Sequence, residues 1–268
     1  MKYDDDVMIE DKNSKKDFDL DSRWGNYIKA GTDFPVARKI EIDEMLERAS
    51  AREGEKVADF GCGDGAITLP LAEAVGPDGH VTALDASDGM LRGLTRRIGD
   101  LAVDAVHLTG PDLPLADGSV DLVTSLANFH HVPDKIRQAR EFARILRPGG
   151  RLVIGDVPDN TNIQRYFDGA VDEMSSTGHK HRFLDPWDAE FMCAESGLTL
   201  VSWEIRPVPW IFDSPSDAAR FLHLIHDATC TPQECLDRAR LDLGYHEEPG
   251  RFLLFWKLFY LTAHKPIS

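Results

Sequence analysis

The chain has 268 residues, of which 42% are hydrophobic, enough for one large α/β domain with its own core. Its formal charge of −16 argues against a nucleic-acid partner, because no basic patch is evident that would offset the repulsion from phosphates. No segment approaches the ~18 consecutive apolar residues of a membrane span, and the first residues lack the apolar core of a signal peptide. Four cysteines are too few for a disulfide framework in a chain of this length, which favours a cytoplasmic location.

The first half of the chain alternates short apolar runs with helical patterns. Residues 1–20 are mostly charged and are expected to form a disordered arm. A first helix is predicted to begin near Pro35 and to end before Glu53. The alternation that follows predicts βαβ units and a parallel sheet that is covered on both faces. The five predicted strands are 56–60, 80–84, 104–108, 120–125 and 151–156.

After the fifth strand, helices with recognisable first residues replace the alternation. Each opens after a residue whose side chain can cap its start, namely Asp185, Ser214 and Thr231. The first of these helices is predicted to cover Pro186–Ser196, with Gly197 just past its end. Residues 198–203 are predicted as a sixth strand, and the aromatic-rich segment 251–264 as a long strand or a pair of strands.

A strand that runs into a glycine-rich turn is the strongest chemical signal. The segment 59–65 (DFGCGDG) has glycine at every second position before a helix, so bare main chain and unpaired N–H groups face one ligand. The spacing also satisfies the dinucleotide fingerprint, with Asp85 where a ribose-binding acid belongs. Asp59 and Asp64 would repel a pyrophosphate but would favour a ligand that carries an ammonium and a sulfonium. The charges therefore favour S-adenosylmethionine (SAM) over NAD.

Four further motifs follow the glycine loop in order. They are 84–91 (LDASDGML), 112–123 (DLPLADGSVDLV), 128–134 (NFHHVPD) and 146–150 (LRPGG). With these motifs, the sequence from about Trp24 to Gly155 resembles the class I SAM-dependent methyltransferases, in particular the small-molecule group that includes the ubiquinone and menaquinone enzymes. The resemblance implies a doubly wound, Rossmann-like α/β fold with a seven-stranded, mostly parallel sheet whose last strand is antiparallel. A helical cap, built from about 158–195 and 205–250, would cover the carboxyl ends of the strands.

The resemblance also implies a set of cofactor-binding residues. The glycine loop would hold the methionine part, Asp85 would accept the ribose hydroxyls, and Met90 and Ala86 would pack on the adenine. The full set is Asp59, Gly61, Cys62, Gly63, Asp85, Ala86, Met90, Asp112, Leu113, Asn128 and Phe129. Many relatives have an acidic residue just after the third strand, where this chain has Thr109 or Gly110. Asp112 would take over that role if the loop is shifted.

Histidines supply the catalytic candidates. His130 and His131 follow the fourth strand, at the edge where open α/β sheets bind ligands, and one of them, preferably His131, could act as general base. Packing is the alternative role for both. In the tail, His179, His223 and His226 could line the substrate site. The last two have i, i+3 spacing, but no carboxylate or cysteine stands at a confirming distance, so no metal is expected.

These features predict a SAM-dependent methyltransferase that acts on a small biosynthetic molecule by O- or C-methylation. Residues 21–157 would form the cofactor core, with Trp24 and Tyr27 either as an N-terminal lid or packed against the sheet. Residues 158–268 would add the cap helices and last strands within one structural domain.

The alternative function is a SAM-binding cyclase or isomerase that transfers no methyl group. A third possibility is a metal-assisted methyltransferase that binds a keto-acid enolate through the cap histidines. The acceptor and the oligomeric state stay open.

Overall fold

The computed structural model describes residues 20–267, with side chains from Trp24 onward. The predicted arm therefore lies outside the described residues, except for Leu20, where the first helix begins. Ten strands fall within the described part of the chain. They are β1 Lys56–Phe60, β2 His80–Asp85, β3 Val103–His107, β4 Val120–Leu126, β5 Leu146–Asp156, β6 Thr199–Pro207, β7 Trp210–Phe212, β8 Tyr245–Glu248, β9 Arg251–Leu254 and β10 Lys257–His264.

Seven of these strands form the main sheet, in the order β3-β2-β1-β4-β5-β10-β6. Strand β10 is antiparallel to both β5 and β6, and the other pairs are parallel. This arrangement confirms the predicted doubly wound sheet with an antiparallel last strand. The chain moves outward in opposite directions from β1 and β4, so the switch point of the sheet lies between these two strands.

Alternate strand residues explain why both faces of the sheet are covered. In β5, Val153 joins one buried apolar cluster, whereas its neighbours Leu152 and Ile154 join the cluster on the opposite face. Helices flank both clusters. Their bounds are α1 Leu20–Asp33, α2 Lys39–Ala49, α3 Thr68–Val75, α4 Asp88–Thr95, α5 Lys135–Ile145, α6 Asn162–Tyr166, α7 Asp172–Met174, α8 Pro186–Ser196, α9 Pro215–Ile225 and α10 Pro232–Leu243. None of these helices is long and apolar enough to cross a membrane.

Helix α1 is one of the elements that sequence patterns missed. It contains Trp24 and Tyr27, which were expected to precede the first helix, and that predicted helix is instead α2, which begins at Lys39. Two glycines, Gly25 and Gly31, lower the intrinsic helix propensity of α1. The helix packs against α4 and α9, so tertiary contacts rather than its own residues stabilise it.

The predicted caps are formed at most helix starts. Asp185 accepts a hydrogen bond from the Asp188 amide at the start of α8, and Gly197 ends that helix with φ +77°. Thr231 and Glu234 form a complete capping box at α10. The capping box expected at Ser214 is only half formed, because the side chain of Asp217 bonds the Ser214 hydroxyl rather than its backbone amide. An aspartate is one methylene shorter than the glutamate that this motif normally uses.

The cap consists of α6, a π-helix at Phe167–Val171, α7, α9, α10 and a small sheet in the order β7-β9-β8. Helix α8 packs against α5 and β6, which places it in the layer that flanks the main sheet. The segment 251–264 is a pair of strands, with β9 in the small sheet and β10 in the main one. One cluster of buried apolar side chains runs from the sheet into the cap, so the two parts share a core.

Candidate active site

A large cavity lies where the carboxyl ends of β1, β2, β4 and β5 meet the cap. Its volume is about 1230 Å³, above the roughly 300–1,000 Å³ that pockets for one small molecule usually have. Gly61 and Asp85 line one end, and Phe167, His179 and Trp256 line the cap side. The cavity therefore has room for two ligands at the edge where doubly wound sheets bind them.

The glycine loop fits tightly against the side chain of Asn128, which follows β4. Gly61 has φ +70°, and a Cβ atom at this position would lie only 2.0 Å from the amide group of Asn128. Both residues line the cavity. No larger side chain can replace Gly61 without moving Asn128, so the loop presents bare backbone next to an amide group.

Asp85 at the end of β2 is held in place by backbone donors. Its Oδ2 atom accepts a hydrogen bond from the Gly63 amide at 2.9 Å, and its Oδ1 atom accepts one from the Ser87 amide at 2.8 Å. Burial raises the pKa of the carboxyl group, and these backbone bonds partly oppose that rise. Each oxygen keeps a further lone pair, so Asp85 can still accept bonds from two hydroxyl groups in the cavity.

Asp59 lies below the loop rather than in the cavity wall. It is fully buried and accepts hydrogen bonds from Thr68 Oγ1 at 2.5 Å and Thr124 Oγ1 at 2.9 Å. Burial raises the pKa of its carboxyl group to about 6. Asp64 forms an ion pair with Arg97 at 2.8 Å. The two acidic groups invoked from the sequence therefore do not face the cavity directly, whereas Asp85 does.

The structure brings only some of the expected cofactor residues to the cavity. Gly61, Asp85, Ala86 and Asn128 line it. The others lie behind its wall or outside it: Asp59, Cys62, Gly63, Met90, Asp112, Leu113 and Phe129. Asp112 is exposed and pairs with Arg137 at 2.8 Å. The cavity wall beyond β3 is formed instead by Leu108, Thr109, Gly110 and Pro111. Two of these, Thr109 and Gly110, are the residues just after the third strand for which Asp112 was expected to substitute.

Helix α1 forms one wall of the cavity through Trp24 and Tyr27. Trp24 lies against α4, where a Cβ atom on Gly89 would come within 3.1 Å of its ring. The Tyr27 hydroxyl accepts a hydrogen bond from Arg38, and burial raises the pKa of this phenol. Both aromatic residues are therefore placed as a lid would require, although closure of such a lid stays a prediction.

A buried polar group next to Tyr27 was not found from the sequence. Arg38 forms an ion pair with Glu41, and Trp210 Nε1 donates a hydrogen bond to Glu41 Oε2 at 3.0 Å. These three residues also line the cavity. The i, i+3 spacing of Arg38 and Glu41 was the only available signal, and such pairs are usually solvent-exposed on helices.

A cluster of histidines occupies the cap end of the cavity. His130 Nδ1 lies 2.7 Å from Asp156 Oδ1, and the His130 amide donates to Asp156 Oδ2 at 2.8 Å. His131 Nδ1 lies 3.1 Å from His181 Nε2. The ring centroid of His179 is 5.2 Å from that of His130 and 4.5 Å from that of His181. Burial and the neighbouring histidines lower the pKa of His179 to about 2, so its ring is neutral.

The two histidines of α9 do not converge. His226 lines the cavity, with its ring centroid 5.9 Å from that of Phe167. His223 is turned away, and its Nδ1 atom bonds the Cys230 carbonyl at 2.9 Å. His223 and His226 therefore do not form the histidine pair that their i, i+3 spacing suggested. The histidines that do converge lie around His130 and include His179.

Comparisons with known proteins agree with this geometry. The family model for a methyltransferase domain matches residues 58–154. The demethylmenaquinone methyltransferase of Halalkalibacterium halodurans is 37% identical over 113 residues, so the match spans 41% of this chain and 46% of that relative. The crystal structure of a candidate methyltransferase from Bacillus halodurans superposes with a TM-score of 0.63 at 20% identity, covering 84% of this chain and 99% of that one. The cyclase SpnF superposes with a TM-score of 0.58 at 20% identity, covering 85% and 80%. The two structural likenesses concern the fold alone.

Residues 58–154 therefore match a methyltransferase domain by sequence, and the sheet that contains them has the fold of a solved methyltransferase-like structure. Over this domain the chain resembles the demethylmenaquinone methyltransferases. The fold and the family resemblance expected from the sequence are thereby confirmed. The chain matches less than half the length of that relative, so its acceptor needs a separate argument.

Proposed function

We propose that this protein transfers a methyl group from SAM to a small-molecule acceptor, by O- or C-methylation. The observation that carries the proposal is the cavity that joins the glycine loop and Asp85 to the aromatic rings and histidines of the cap. When bound, SAM supplies an electrophilic methyl group on a positively charged sulfur. Transfer is a direct displacement, so the chain's main task is to align two ligands in one cavity.

The residues at the sheet end suit the cofactor. Asp85 is fixed by two backbone amides and can accept two hydroxyl groups at once, as a ribose requires. Gly61 leaves the main chain bare beside the Asn128 amide, which gives polar contacts for an amino-acid part. Asp59, buried below this loop, provides negative charge near the sulfonium side once it is ionised.

The residues at the cap end suit an acceptor with an oxygen or carbon nucleophile. Phe167, Trp210 and Trp256 provide aromatic surface, and His179 is a neutral imidazole. Neutral rings would accommodate an uncharged ring system without an opposing charge. His131 is exposed to the cavity at this end, so the general base expected from the sequence has an accessible candidate.

The setting of the reaction is part of the same proposal. The excess of acidic residues, −16 in formal charge, supports a small acceptor rather than a nucleic acid. Four cysteines, described as free thiols, support a reducing compartment such as the cytoplasm.

Two measurements on the full chain test this function. Isothermal titration with S-adenosylhomocysteine should give one binding site, because the product shares the ribose and amino-acid groups of SAM. Incubation with SAM and a panel of reduced quinones, phenols and 2-oxo acids should then yield a product heavier by one methyl in place of one hydrogen. Absence of S-adenosylhomocysteine binding would remove the basis of the proposal.

A SAM-binding cyclase or isomerase is the second candidate. The large volume of the cavity favours it, because a substrate that must fold on itself needs such space, and the cyclase SpnF has the same fold. In that case the protein would bind S-adenosylhomocysteine, but its product would have the mass of its substrate.

A further inference from the structure

Three ring nitrogens come together at the cap end of the cavity. His130, His131 and His179 each have a nitrogen atom that lies within 4.8 Å of the nitrogens of the other two. The ring centroids of His130 and His131 are 4.1 Å apart, and those of His131 and His179 are 5.6 Å apart. The first two residues follow β4, whereas His179 follows α7 in the cap, so the fold itself assembles the group.

His130 is oriented by a carboxylate behind it. Asp156 is 2% exposed and accepts hydrogen bonds from the His130 amide and the Val157 amide, while its Oδ1 atom faces His130 Nδ1 at 2.7 Å. This contact places the proton on Nδ1 and leaves the lone pair on Nε2. A histidine held in this way by a carboxylate is the usual arrangement for a metal ligand.

His179 gives an independent indication of a ligand. The residue is 5% exposed, and its Nδ1 atom is buried without a hydrogen-bond partner among the residues that the structure describes. Its backbone amide donates to Asp172 Oδ1 at 2.8 Å, which fixes the segment in place. A buried nitrogen without a partner is uncommon in folded proteins and calls for an explanation.

Aromatic packing accounts for the cluster only in part. The His179 ring lies against Phe167, with centroids 4.3 Å apart, and near Phe183 at 6.1 Å. Such contacts would be made equally well by a phenylalanine at this position. They do not explain three imidazoles around one point or the buried Nδ1 atom, whereas a bound cation explains both.

We propose that His130, His131 and His179 bind one divalent transition-metal ion whose remaining coordination positions open into the cavity. Imidazole nitrogen suits Zn²⁺, Fe²⁺, Co²⁺ and Ni²⁺, with metal–nitrogen distances of about 2.0–2.1 Å for zinc. Ligand nitrogens around such an ion lie roughly 3.4 Å apart in tetrahedral geometry, so small side-chain rotations would close the site. Three protein ligands with an open position are typical of catalytic rather than structural metal sites.

The role of this ion toward the acceptor rests on the proposed function. A hydroxyl or enol oxygen of the acceptor would occupy the open coordination position of the ion. The ion would lower the pKa of that group. The proton would leave to solvent, and the lone pair would stay on the acceptor as the nucleophile for the methyl group. His131 would then act as a metal ligand and not as the general base expected from the sequence.

The test uses Co²⁺ as a spectroscopic probe on untagged full-length protein that has been treated with a chelator. Wild-type protein should bind one Co²⁺ per chain and show visible absorption bands of cobalt with nitrogen ligands. His179→Gln keeps a polar side chain but removes the imidazole, and it should weaken Co²⁺ binding at least about 100-fold. Asp156→Asn should weaken it by about 10–100-fold, the usual effect of losing a supporting carboxylate.

His223→Ala is the matched control, because His223 is a cap histidine outside the cavity. It should bind Co²⁺ as the wild type does. S-adenosylhomocysteine binding measured on every sample reports whether each variant is folded, and it tests the proposed function separately. Absence of Co²⁺ binding by wild-type protein would overturn the metal site. An intense near-ultraviolet thiolate band would also overturn it, since that band would place the ion at Cys230 and Cys235, whose sulfur atoms are 3.3 Å apart.

Discussion

Ionisation of Asp59 should lower the stability of the folded protein as the pH rises. Burial raises the pKa of this carboxyl group from 3.8 to about 6. Below the lower value, both the folded and the unfolded chain hold the proton, and Asp59 makes no difference. Above the higher value, both have lost it, and the folded state bears the cost of a buried charge. The stability lost through this group therefore develops between about pH 4 and pH 6 and then stays constant.

The size of the effect follows from the two pKa values. Integrating proton binding between them gives a cost of about 1 kcal/mol at pH 4.5 and about 3 kcal/mol at pH 7. Asp59→Asn has the same shape but cannot ionise, so it lacks this cost. The difference in unfolding free energy between variant and wild type should therefore change by about 2 kcal/mol, in favour of the variant, between those pH values.

Urea unfolding monitored by tryptophan fluorescence measures this difference, because the chain has five tryptophans. Other titrating groups are present in both proteins and cancel. Thr68→Val removes a hydroxyl that donates to Asp59, so it should raise the pKa of that carboxyl further and extend the loss of stability to higher pH. A difference between Asp59→Asn and wild type that does not change with pH would refute the reasoning.

Three further perturbations test the site and the scaffold. Asp85→Ala should weaken S-adenosylhomocysteine binding by at least about 1.5 kcal/mol, or more than tenfold, in calorimetry, whereas Asp88→Ala, an exposed neighbour, should not. Gly61→Ala should abolish binding in the same assay, because the new Cβ atom would collide with Asn128. Combining it with Asn128→Gly, which also removes the Asn128 Cβ atom at 2.6 Å, should restore part of the binding, and no restoration would contradict the steric cause. Thr231→Ala should lower the unfolding free energy by ~1 kcal/mol through loss of the capping box of α10, with methyl transfer unchanged.

The sheet could be predicted from the sequence because buried parallel strands have an unambiguous pattern. The strands at 56–60 and 120–126 are mostly buried on both faces, and helices α3 and α4 lie between them in the chain. Helix α1 could not be predicted in the same way, because its stability comes from contacts with α4 and α9 rather than from its own residues. Local patterns carry no information on such contacts.

The charges that favoured SAM in the sequence lie elsewhere than expected. Asp59 is buried and Asp64 is paired with Arg97, so Asp85 is the acidic group of these three that faces the cavity. The order of the motifs was the stronger signal, because it follows from the topology of the sheet. Side-chain direction within a loop depends on its backbone turns, and spacing alone does not determine these.

The histidine cluster illustrates what spacing cannot provide. His223 and His226 are three residues apart on one helix, yet only His226 reaches the cavity. His130 and His179 are far apart in the sequence, and the cap brings their ring centroids to within 5.2 Å of each other, while His131 Nδ1 lies 3.1 Å from His181 Nε2. Their proximity depends on how the chain returns across the sheet after β5. Whether they bind a metal is decided by the cobalt titration.

Competitive calorimetry with S-adenosylhomocysteine and NAD⁺ examines the glycine loop most directly. Wild-type protein should bind one S-adenosylhomocysteine per chain, lose that binding when Asp85 is replaced by alanine, and give no heat with NAD⁺. Tight binding of NAD⁺ that depends on Asp85, together with no binding of S-adenosylhomocysteine, would contradict the account.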